Sequence, residues 1–80
     1  MRPIKSMHEF EQLRSKGEGF IYNDFSGKRA DGKYYNILHI ASCRWLYRSN
    51  LNVPKYFFSN FDEATTWLRE NRGEEGIGWN

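Results

Sequence analysis

Eighty residues with twelve basic and ten acidic side chains carry a net charge of +2, and 39% of them are hydrophobic. This length holds one small core and no second, and a single cysteine, Cys43, excludes an intramolecular disulfide. No apolar run approaches the roughly 20 residues that cross a bilayer, and the opening Met-Arg-Pro-Ile-Lys-Ser has no apolar stretch behind its charge, so a reducing, cytoplasmic setting without a membrane is expected.

Aromatic residues make up 18% of the chain, and they dominate the candidate core because each Phe, Tyr or Trp buries roughly 150–250 Å². The first element has a start signal: Ser6 stands three residues before Glu9, the spacing of a capping box. Met7, Phe10 and Leu13 then share one helical face, and Gly17 and Gly19 supply the exit, which predicts a helix over 7–16. Phe20 to Phe25 reads as a strand, and Asp31-Gly32 signals a hairpin turn. Tyr34 to Ser42 carries apolar residues on both of its alternating faces, so it is expected as a strand covered on two sides. The stretch Arg44-Trp45-Leu46-Tyr47-Arg48 fits either a continued strand or one helical turn capped by Ser42. Ser49 to Pro54 is a polar loop and Lys55 to Phe58 a short strand. Ser59 or Asn60 caps a last helix whose apolar side is Phe61, Ala64, Trp67 and Leu68. Asn71-Arg72-Gly73 ends it, and 74–80 reads as a flexible acidic tail. The expected fold is one α+β domain over 1–80, a small three-stranded antiparallel sheet with two short helices in the order α-β-β-β-α. Both helices are expected on one face of the sheet.

Charge is unevenly spread. Residues 26–60 hold Lys28, Arg29, Lys33, Arg44, Arg48 and Lys55 against Asp31 alone, a local charge of +5, while residues 61–80 carry −3. Cations interleaved with aromatics can neutralise phosphates and stack on bases. Lys28, Arg29, Lys33, Arg44, Arg48 and Lys55 are therefore the candidate nucleic-acid contacts, with Trp45 and Tyr47 as candidate stacking groups. The competing reading is a solvated basic face, with Trp45 and Tyr47 in the core.

Other chemistry finds less support. His39 and Cys43 lie four apart, about 13 Å on one extended strand at 3.3 Å per residue, too far to share a zinc unless the strand ends near Ile40. Even then two more ligands are needed, so no metal and no cofactor is expected. The chain has no glycine-rich phosphate loop ending in Lys-Ser/Thr, no G-x-S-x-G and no H-E-x-x-H. The carboxylate pairs Asp62-Glu63 and Glu74-Glu75 fall at a helix cap and in the tail, so no catalytic residue is assigned.

His39-x3-Cys43-x2-Leu46, then Lys55-Tyr56-Phe57-Phe58-Ser59, then Glu63-Ala64-x2-Trp67-Leu68 resembles a family of small bacterial H-x3-C accessory domains attached to restriction-type and HNH-type nucleases. The likeness covers about residues 36–70 and lacks the family's terminal C-x2-C. It implies DNA handling. Two functions follow as expectations: a non-catalytic module binding DNA or RNA, or a protein-interaction domain, such as a small regulatory or inhibitor protein that docks on a larger partner.

Overall fold

A computed structural model describes residues 1–24, 36–44, 46, 53–72 and 77–79. Five strands and two helices follow in the order β1 (Arg2–Pro3), α1 (Met7–Lys16), β2 (Phe20–Asn23), β3 (Asn36–Ile40), β4 (Lys55–Phe58), α2 (Phe61–Arg72) and β5 (Ile77–Trp79). The strands form one sheet ordered β1-β4-β2-β3-β5. The first four are antiparallel neighbours, and β5 pairs parallel with β3.

The helices start and stop where local chemistry dictates. Ser6 sits in extended backbone and its Oγ accepts the Glu9 N–H at 3.1 Å, while the Glu9 carboxylate accepts the N–H of Lys5 at 3.3 Å, one residue ahead of the Ser6 amide a capping box would use. Gly17, at φ 72°, closes α1 in the left-handed region, where its N–H donates to Leu13 O. Asn60 caps α2 by accepting the Glu63 N–H at 2.7 Å.

Two clusters of buried side chains form, one on each face of the sheet. Ile21 of β2 packs with Phe10 and Leu13 of α1, together with Ile4, Ala41 and Leu46. Its neighbour Tyr22 packs with Ala64 and Leu68 of α2, together with Leu38 and Phe58. Successive strand residues point to opposite faces, so α1 and α2 cover opposite faces, not the one face expected. Crossover handedness accounts for this. α1 joins the parallel pair β1 and β2, and α2 joins the parallel pair β4 and β5, which run the other way. Both connections move across the sheet in the same sense, so a single hand of crossover forces the helices apart. The connection from β3 to β4 moves in the reverse sense on strands of that second direction, and its described residues Ala41 and Leu46 accordingly pack on the α1 face.

The α+β class stands, while the three-strand detail is corrected to five strands. β1 has two residues, one a proline tolerated only because it lies at an edge. Ile77–Trp79 forms β5 rather than part of a tail, while 74–76 and 80 lie outside the described residues. Tyr34 and Tyr35 and the Asp31-Gly32 turn also lie outside them, and Ala41 and Ser42 have left the strand. Met7 and Phe61, expected on apolar helix faces, are 41% and 47% exposed.

Candidate nucleic-acid interface

Of the six cations singled out in the sequence, two fall within the described residues. Arg44 is exposed. Lys55 is only 2% exposed, so it leaves the set of phosphate-facing cations. Lys28, Arg29, Lys33 and Arg48, with Trp45 and Tyr47, lie outside the described residues.

Arg44 is presented by a turn seated against α1. β3 ends at Ile40 and the chain reverses at once, with the Cys43 N–H donating to Ile40 O at 2.9 Å and the Leu46 N–H donating to Cys43 O at 3.1 Å. Leu46 is fully buried beneath α1. From the helix side, Arg14 Nη1 reaches Leu46 O at 3.5 Å, and Gly17 lies alongside Ser42. The turn and the last turn of α1 are thus one surface, on which Arg44 and Lys16 are exposed and Arg14 is half-buried.

Sequence reasoning passed over Arg14 and Lys16 because residues 1–25 balance four bases with four acids. Helical spacing held the signal. Arg14 lies four residues after the core residue Phe10, and its guanidinium carbon stands 4.5 Å from the Phe10 ring centroid. Both helices carry charges of both signs: α1 also exposes Glu11, and Lys16 pairs with Glu18 at 3.7 Å. Exposed on α2 are Asp62 and Glu70 with Arg69, and Arg72 at its end is held by Asp24 through contacts of 2.9 and 2.7 Å.

Lys55 enters the interior because β4 places it in the same register as Asn23, on the α1 face. Its Nζ stands 5.4 Å from the Phe10 ring centroid and 3.4 Å from Val53 O. Burial disfavours the ammonium and lowers its pKa to about 8. His39, opposite Ile21 and so on the same face, is held below the ordinary imidazole range by burial and then by the charge of Lys55.

The strand end that His39 and Cys43 would need does occur at Ile40, and Cys43 is half-buried against the α1-side cluster. Among the described residues no group of three or more His, Cys, Asp or Glu side chains is placed to hold a metal ion. Among the same residues no helix is long and apolar enough to cross a membrane. Comparison with protein-family models, with curated proteins and with solved structures returned no match for this chain.

Proposed function

We propose that this chain is a non-catalytic nucleic-acid-binding module that meets the phosphate backbone with its α1 face. The observation that carries the reading is the exposed Arg44 turn, seated on the α1 side beside exposed Lys16 and half-buried Arg14. The sequence adds Lys28, Arg29 and Lys33 on the connection between Asp24 and Asn36, and Arg48 just beyond the turn. The likeness to nuclease accessory domains points the same way.

Binding of this kind is driven by counterion release and weakens steeply with salt. Fluorescence anisotropy with labelled duplex and single-stranded oligonucleotides at low salt should give saturable binding. Arg44→Glu should lower affinity about tenfold, and Lys28→Glu with Arg29→Glu should nearly abolish it. Lys55→Met should leave it unchanged, since the amine is buried. Absence of binding at low salt, or binding indifferent to salt, contradicts the proposal.

A second reading has its own support. Phe61 is 47% and Ile40 39% exposed, and both adjoin Phe20: Phe61 through ring centroids 5.9 Å apart, Ile40 through the strand register. An apolar patch of this kind suits a protein partner. Phe61→Ser would then abolish capture of that partner and leave nucleic-acid binding intact.

A further inference from the structure

A cleft of about 240 Å³ opens beside the C-terminal end of α1, between that helix and the β1–β4 edge. Leu13 and the ring of half-buried Phe57 line it, with exposed Arg2, Lys16 and Glu18 around them. Gly19 lies beneath the ring. At φ 85° it occupies left-handed backbone, and a β-carbon there would stand 2.6 Å from Phe57 Cζ, so glycine is what lets the ring lie on the chain. The Arg2 guanidinium carbon sits over the same ring, 5.1 Å from its centroid. Lys16 and Glu18 pair at 3.7 Å, both largely exposed.

Size limits the occupant. A cavity of about 150 Å³ holds one benzene ring, and pockets that enclose drug-sized molecules start near 300 Å³. One heterocyclic ring therefore fits, while its sugar and phosphate stay outside. Chemistry narrows it further. A guanidinium plane is a protein surface on which unstacked bases lie, and here the Phe57 ring holds that plane from behind, while Lys16 supplies a cation at the rim. Glu18 adds an acceptor suited to an exocyclic amino group, which cytosine carries and thymine lacks.

We propose that this cleft captures one unpaired, amino-bearing base of a single strand, stacked on the Arg2 guanidinium that Phe57 backs, with its flanking phosphate at Lys16. The inference rests on the nucleic-acid reading above and makes single strands the preferred ligand of that face. Lys16 and Gly17 connect the cleft to the Arg44 turn, so one strand can engage both.

The test compares labelled oligo-dC, oligo-dT and duplex DNA against the wild-type chain, Arg2→Lys, Phe57→Leu and Arg44→Glu. Arg2→Lys keeps the charge and loses the stacking plane; as Arg2 is exposed on a two-residue edge strand, the fold should be untouched. Expected are tighter binding of oligo-dC than of oligo-dT, and a fivefold to tenfold loss on oligo-dC for Arg2→Lys, roughly the worth of one base stack. Duplex affinity and the salt slope should not change, and Phe57→Leu should show the same selective loss. Equal losses on single strand and duplex, or no loss for Arg2→Lys while Arg44→Glu still weakens both, overturns the cleft and leaves the broader reading standing. No binding of any oligonucleotide by the wild-type chain defeats both.

Discussion

Lys55 illustrates how far a residue's role depends on its register. In the sequence it is a cation after a polar loop. In the fold it faces α1 from β4 and lies over the Phe10 ring, with Val53 O as its hydrogen-bond acceptor. Its pKa of about 8 lies below the ordinary lysine value, so the unfolded chain binds more protons between pH 8 and 10.5. Stability should therefore rise as pH is raised through that window and fall as pH drops back through 8. His39 acts in the same sense lower down: its depressed pKa means stability is lost on acidification below 6.5. Thermal melts from pH 5 to 10.5 should show both slopes. Lys55→Met, similar in volume and without a charge to desolvate, should remove the upper slope and stabilise the fold at pH 7 by about 1 kcal/mol. A melting point independent of pH between 8 and 10.5 in the wild-type chain would contradict the burial of this amine.

At the scale of elements, the ends carry specific fasteners. Asp24 follows β2 and grips Arg72 at the end of α2 with two contacts, tying the sheet to its second helix where the connection to β3 begins. The Arg72 guanidinium also lies over Trp67, 5.0 Å from the ring centroid. Asp24→Ala should cost about 2 kcal/mol, typical of hydrogen bonds between charged groups, and lower the melting point on the order of 10 °C. An unchanged melting point would show the pair to be ornamental. Elements with strong local chemistry were legible in the sequence: the Ser6 cap, the Gly17 exit and the Lys55–Phe58 strand fall where their residues place them. β1 and β5 were not, because two residues with a proline and three with a glycine have no periodicity to read. The opposite placement of the helices was also hidden. It follows from strand order, which no local pattern encodes.

For the whole molecule, the clearest feature is a sheet with unlike faces. Trp67 of α2 lies within ring contact of Tyr22, Tyr56 and Phe58, at centroid distances of 6.2, 5.3 and 5.7 Å, and that face is an aromatic core. The α1 face mixes aliphatic packing with Arg14, His39 and Lys55 and presents Arg44 and Lys16 outward. Of the candidate site, the sequence singled out Arg44, which is exposed, and the excess of positive charge. It misassigned Lys55 and left Arg14 and Lys16 unnoticed, because linear charge counting sums over both faces of a helix. The account is tested most directly by following backbone amide resonances of the isotopically labelled chain as a single-stranded oligonucleotide is added at low salt. Shifts centred on the amides of Arg14 to Gly19 and Ser42 to Arg44, with those of Arg2, Phe57, Lys28 and Arg29, and reversed by salt, are the expected result. Shifts centred on Asp62 to Glu70 of α2, or none at all, would contradict it.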